Sequence, residues 1–126
     1  MRVLLAEDEP VNQTVIRLML ERMGCTVEVA SNGEAAIEAA IRSDANFDLV
    51  LMDCRMPRLG GIEATRDLRA RNISIPIVAL TANAADQDRD LCLEAGMNDF
   101  VPKPLTLPTL GRLLLRAKNG ELSSRA

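Results

Sequence analysis

Phe47-Asp48-Leu49-Val50-Leu51-Met52 is the most apolar short run of this 126-residue chain, and it stops on a carboxylate, Asp53. A run of this length, followed by the breaker-rich loop Met56-Pro57-Arg58-Leu59-Gly60-Gly61, predicts a strand covered on both faces. Val3-Leu4-Leu5-Ala6 is a second run of the same kind. Between the two, Pro10 stands where a helix can begin, and Val11, Val15, Leu18, Met19 and Met23 recur on one helical face closed by Gly24. Val27-Glu28-Val29-Ala30 predicts another strand, nearer an edge because it carries Glu28. Ser31-Asn32-Gly33-Glu34 has the spacing of a capping box, ahead of a helix face made by Ala36, Ile37, Ala40 and Ile41.

The same alternation continues beyond Gly61. A third helix points Ile62 and Leu68 inward, and Ile75-Pro76-Ile77-Val78-Ala79-Leu80 predicts a fourth strand with Pro76 tolerated only near its start. Ala84 to Ala95 predicts a helix ended by Gly96, and Asp99-Phe100-Val101 a short fifth strand. After Pro104, Leu107, Leu110, Leu114 and Ala117 mark a last amphipathic helix, and the small polar residues from Asn119 onward are expected to fray. Alternating strand and helix reads as an open α/β sheet with right-handed crossovers. The expectation is a single α/β domain over residues 1–118 with a flexible tail over 119–126.

Composition narrows the function. Fifteen basic against eighteen acidic residues, with no Trp or Tyr, argues against nucleic-acid binding. No apolar run approaches a membrane span, and Met1-Arg2-Val3 does not begin a signal peptide, so a cytoplasmic protein without membrane contact is expected. The absence of His excludes serine-hydrolase triads, His-ligated zinc and His general bases. Cys25, Cys54 and Cys92 lack the short spacing of a zinc knuckle or redox motif, and read as buried reduced thiols.

The polar residues are the informative ones. Glu7 and Asp8 end the first strand, Asp53 the third and Thr81 the fourth, and Lys103 follows the fifth. In an open parallel sheet the carboxyl ends of the strands share one crevice, where such folds bind ligands. Three carboxylates there repel one another unless a cation intervenes, and one lysine does not neutralise three. Carboxylate oxygens without His or Cys suit Mg²⁺. An ionised Asp beside Mg²⁺ and Lys is a nucleophile toward phosphorus, with Thr81 able to donate to a phosphoryl oxygen. Taken singly, each residue also has a plain structural role: a strand-end Asp forms turns, and Glu7-Asp8 ahead of Pro10 suits a helix N-terminus. Only their joint occurrence on one sheet edge points to chemistry.

Four blocks, Leu5-Ala6-Glu7-Asp8-Glu9, Leu51-Met52-Asp53-Cys54-Arg55-Met56-Pro57, Leu80-Thr81-Ala82-Asn83-Ala84 and Phe100-Val101-Pro102-Lys103-Pro104, resemble in order and spacing the signature blocks of response-regulator receiver domains. The resemblance runs from about Val3 to Ala117 and is greatest to receivers attached to hybrid sensor histidine kinases. It implies a five-stranded parallel sheet in order 2-1-3-4-5 with helices on both faces. It further implies Asp53 as phosphoacceptor, and Glu7, Asp8, Asp53 and the backbone carbonyl of Arg55 as Mg²⁺ ligands. Thr81 and Lys103 take catalytic roles by the same resemblance, Thr81 and Phe100 form the switch, and Lys103–Pro104 is a cis peptide. The donor it implies is a phosphohistidine on a histidine kinase or histidine phosphotransfer protein, and the domain itself is a monomer or weak homodimer that assists its own modification. Two departures are Gly60, where the family commonly has Asp, and the long cation Arg55 at the rim.

Three rivals are weighed against this reading. A haloacid-dehalogenase-like Mg²⁺-dependent phosphatase needs a second Asp two residues after the nucleophile, where this chain has Arg55. A degenerate receiver would bind partners without phosphate, although every functional position is filled here. A flavodoxin-like cofactor carrier needs a phosphate loop after the first strand, which is absent.

Overall fold

β3 (Leu49–Asp53) is the middle strand of a parallel sheet in the order β2-β1-β3-β4-β5, as expected. The computed structural model of the chain describes residues 1–81 and 86–122. The other strands are β1 (Arg2–Ala6), β2 (Thr26–Ala30), β4 (Ile77–Thr81) and β5 (Asp99–Pro102). They alternate with α1 (Pro10–Arg22), α2 (Gly33–Ile41), α3 (Gly61–Ala70), α4 (Asp86–Ala95) and α5 (Leu107–Lys118).

The continuous apolar runs are explained by two cores, one on each face of the sheet. Successive strand side chains point to opposite faces. Leu4, Ala6, Val50, Met52, Ile77 and Ala79 therefore pack on one face with residues of α2, α3 and α4. Val3, Leu5, Leu49, Leu51, Val78 and Leu80 face the other way, toward Ile16 and Leu20 of α1 and Leu110 and Leu113 of α5. β2 is an edge strand, and its Glu28 accepts two hydrogen bonds from Arg42, at 2.7 and 2.8 Å.

Several local expectations are corrected. β4 starts at Ile77, leaving Pro76 outside it, and its last residue is Thr81. β3 likewise starts late and ends on Asp53; Asp48 accepts from the Arg2 N–H at 2.8 Å and ties the strand's approach to β1. The cap of α2 is Asn32 rather than Ser31, its side chain accepting from Ala35 N–H at 2.8 Å. α4 is described from Asp86 onward, and its expected start at Ala84 lies outside the described residues.

The largest correction concerns α1. Ile16 and Leu20 face the core, whereas Val11, Val15 and Leu18 are exposed at 66, 50 and 54%. Met19 and Met23, the rest of the expected face, pack against the second core, so only the Val11, Val15 and Leu18 part of it faces out. Nor does the tail fray at once. Leu122 is buried in the second core, and its carbonyl accepts from Asn98 Nδ2 at 2.7 Å. Asn98 Oδ1 in turn accepts from Ile77 N–H and from Arg69, whose guanidinium also donates to the carbonyls of Ile73 and Gly96. This network ties together the amino ends of β4 and β5, opposite the carboxylate edge.

Gly61 lies so close to the end of β3 that a Cβ there would run into the Asp53 carbonyl oxygen and approach Met52 Cγ to 2.8 Å. Gly111, inside α5, has no neighbour nearer than Met23 Cε at 3.7 Å. The two glycines should respond oppositely to alanine. Gly61→Ala forces a backbone shift and should destabilise by about 1–3 kcal/mol. Gly111→Ala should stabilise by roughly 0.5–1 kcal/mol, the ordinary cost of glycine within a helix. Urea denaturation midpoints check both.

Candidate functional site

The carboxylate edge is assembled by register. Asp53 is the last residue of β3 and pairs with Leu80, one residue before Thr81 at the end of β4. Thr81 pairs with Pro102, and its carbonyl accepts from the Lys103 N–H at 2.7 Å, which starts the lysine over the crevice. On the other side of β3, β1 ends at Ala6, and the Glu7 N–H donates to Ala30 at 3.0 Å. Glu9, not Glu7 or Asp8, caps α1, its carboxylate accepting from Val11 and Asn12 N–H at 3.2 and 2.8 Å. Capping therefore leaves the acidic pair available to the crevice.

Lys103 is central. Its ammonium donates to Glu7 Oε1 at 2.9 Å and to Asp53 Oδ2 at 3.1 Å. The Glu7 side chain is fully buried and that of Asp53 is 8% exposed. Their remaining oxygens are also served: Glu7 Oε2 accepts from Glu9 N–H and Asp53 Oδ1 from Arg55 N–H, each at 3.2 Å. Burial pushes the Lys103 pKa down, but the hydrogen bonds and negative charge of Glu7 and Asp53 outweigh it, and the net shift is up. A lysine raised on folding contributes its full stabilisation below its unfolded pKa and loses it only as pH climbs through the folded value. The pairing is thus intact across the neutral range.

Asp8 completes the cluster from the more open side. One carboxylate oxygen each from Glu7, Asp8 and Asp53 lies within 4.8 Å of the others. Three negative charges face one ammonium group, so the crevice has a deficit of positive charge. All three donors are hard oxygens. The residues fit Mg²⁺, which takes carboxylates and keeps several waters.

The remaining expected residues surround this cluster. Thr81 is buried beside it. Arg55 is exposed and lines, with Asp8, Cys54, Pro57 and Glu63, an open groove of about 680 Å³. The position where a haloacid-dehalogenase-like phosphatase would carry its second Asp is therefore an exposed cation. Lys103–Pro104 is a cis peptide. Phe100 is half-buried on β5 with the Arg89 guanidinium 5.3 Å from its ring centroid, a contact that the sequence did not signal. Gly60 caps α3 without a side-chain hydrogen bond, as its departure from the family pattern implied. Ala82-Asn83-Ala84, part of the third signature block, lie outside the described residues.

The family model described as response regulator receiver domain matches residues 3–114. The chain belongs to the response regulator receiver domain family. As a receiver domain it is 42% identical over 117 residues to the two-component response regulator ORR41 of Oryza sativa subsp. japonica, covering 91% of this chain and 92% of that protein. It is 37% identical over 139 residues to Histidine kinase 1 of Arabidopsis thaliana, covering 82% of this chain but only 12% of the kinase. The same receiver fold is found in the crystal structure of the receiver domain of sensor histidine kinase PA1611 from Pseudomonas aeruginosa PAO1. That structure is 47% identical with a TM-score of 0.85, covering 94% of this chain and 97% of the other, and it has a magnesium ion coordinated in its active site cleft.

The charge deficit has a measurable consequence. Mg²⁺ should stabilise the receiver domain, by about 1.4 kcal/mol at ten times its Kd. Asp8→Asn removes one like charge; it should raise the metal-free stability by roughly 0.5–1 kcal/mol and lose most of the Mg²⁺ effect. Denaturation with Mg²⁺ and with a chelator, on both proteins, reads the two effects separately.

Proposed function

We propose that this receiver domain is the phosphoryl-accepting switch of a two-component phosphorelay, with Asp53 taking the phosphoryl group from a phosphohistidine donor. The observation that carries the reading is the Lys103 ammonium bridging Asp53 and the buried Glu7, with Asp8 beside them. The chain has no His, so the donor is another domain or protein. Histidine kinases among its relatives are consistent with a kinase or a histidine phosphotransfer protein in that role.

In the step itself, an Asp53 carboxylate oxygen forms a bond to phosphorus while the P–N bond to the donor imidazole breaks, and the imidazole keeps the electron pair. Lys103 offsets charge on the phosphoryl oxygens, and the Thr81 hydroxyl donates to one of them. Mg²⁺, held by Glu7, Asp8, Asp53 and the Arg55 backbone carbonyl, would supply further charge compensation for the phosphoryl oxygens. The Arg55 side chain, exposed at the mouth of the groove, shields the phosphoryl group from water. Its contribution is that of an exposed charge pair, about 0–1 kcal/mol.

Readout follows from the Thr81 hydroxyl. Its turn toward the phosphoryl group leaves room for Phe100 to move in from beneath Arg89, which re-forms the surface of α4 and α5. Leu91, Leu107 and Leu115 are exposed on those two helices.

The exposed stripe of α1 is the docking face for the donor. Val11 stands three residues after Asp8, and Val15 and Leu18 continue the stripe away from the crevice. An apolar helix face seated there brings its phosphohistidine to Asp53.

Two tests are direct. With a small acyl phosphate and Mg²⁺ the wild-type domain should gain one phosphoryl group, and Asp53→Asn none, by intact mass. With a phosphorylated protein donor, Val15→Glu combined with Leu18→Glu should slow transfer by about tenfold or more, the loss of an apolar hot spot. The same double variant should be loaded by the small donor at the wild-type rate. Equal slowing with both donors would mean that the stripe is not a docking face.

A further inference from the structure

Cys54 directly follows Asp53, and its sulfur lies 3.3 Å from that of Cys92 in the middle of α4. The two are far apart in sequence and are brought together only by the fold. Cys92 is buried, at 1% exposure, whereas Cys54 is half-buried and lines the groove with Asp8 and Arg55. One thiol is thus reachable from solvent and the other stands behind it. No disulfide joins them.

We propose that Cys54 and Cys92 form a redox-sensitive pair, converted by a peroxide to a disulfide that clamps α4 to the residue after the phosphoacceptor. The Cys54 sulfur attacks one peroxide oxygen; an S–O bond forms, the O–O bond breaks, and one water leaves, giving a sulfenic acid. The Cys92 sulfur then attacks the Cys54 sulfur; the S–S bond forms, the S–O bond breaks, and a second water carries off the remaining proton. Two thiols give up two electrons and hydrogen peroxide takes them. The sulfurs must close by about 1.2 Å to reach the S–S length of about 2.05 Å. Side-chain rotation must supply that movement, because the Cys54 backbone is held by its N–H bond to Leu80 at 3.1 Å.

The structural effect is specific. Phe100 is overlaid by Arg89, on the same helix as Cys92. A covalent tie from Cys92 to the end of β3 resists any displacement of α4 relative to the crevice. Its signalling consequence, that oxidised protein holds the α4 surface in its resting form, rests on the reading of Asp53 as phosphoacceptor. The disulfide itself does not.

The test uses Cys25→Ser protein, which leaves only the pair. Cys25 is buried in the opposite core, and burial pushes its thiol pKa up. Hydrogen peroxide should lower the mass by two hydrogens, protect residues 54 and 92 together from alkylation, and yield one cross-linked peptide, all reversed by dithiothreitol. Adding Cys92→Ala or Cys92→Ser should abolish the cross-link and leave Cys54 as a sulfenic acid trapped by dimedone, with circular dichroism confirming the fold. Hydrogen exchange of Leu91–Ala95 should slow severalfold in the oxidised protein. Alkylation of both thiols after peroxide, over-oxidation without loss of two hydrogens, or unchanged exchange in cross-linked protein would overturn the proposal. Failure of the reduced protein to accept phosphate would instead count against the phosphoacceptor reading and leave these outcomes readable.

Discussion

One ammonium group between two buried carboxylates holds this site in shape. Lys103 sits just beyond β5, Asp53 at the end of β3 and Glu7 just beyond β1, so its two hydrogen bonds fasten three strands across the crevice. Neither carboxylate could be buried as an ion without such a partner, because an unpaired buried charge costs several kcal/mol. The sheet order makes the bridge possible. β3 lies between β1 and β4, and β5 lies outside β4, so the lysine reaches across Thr81 to meet the acids. The cluster is still short of positive charge, a deficit that its hard oxygen donors suit Mg²⁺ to fill.

The two ends of the sheet are built differently. At the carboxyl edge, charged groups are held close together, hydrogen-bonded but with their negative charge only partly offset by Lys103. At the opposite end, Arg69 and Asn98 spend their donors and acceptors on backbone groups and on the carbonyl of Leu122. That end is closed, and its burial lowers the Arg69 pKa.

Much of this was legible from residue order. The runs around Leu4, Val50 and Val78 are apolar without alternation because both sheet faces are covered, and their ends locate the acids and the threonine, while the lysine follows β5. What was missed depends on direction in space. On α1, Val11, Val15 and Leu18 match a helical period as well as Ile16 and Leu20 do, and only the crossover onto the sheet decides which stripe is buried. Ser31 and Asn32 are both good caps, and backbone geometry selects the second. Leu122 is a lone apolar residue in a polar tail, too little pattern to mark burial. The meeting of Cys54 with Cys92, and of Arg89 with Phe100, joins separate segments, and no local spacing encodes it.

The central claim is chemical: a phosphoryl group is carried on the carboxylate that Lys103 holds. Borohydride reduction of the phosphorylated domain, followed by peptide mass spectrometry, tests it most directly, because an acyl phosphate on aspartate is reduced to homoserine while an unmodified carboxylate is not. Homoserine at position 53 and at no other acidic residue is the expected result. A reduced residue at Glu7 or Asp8, or a phosphorylated protein without homoserine, would contradict the account.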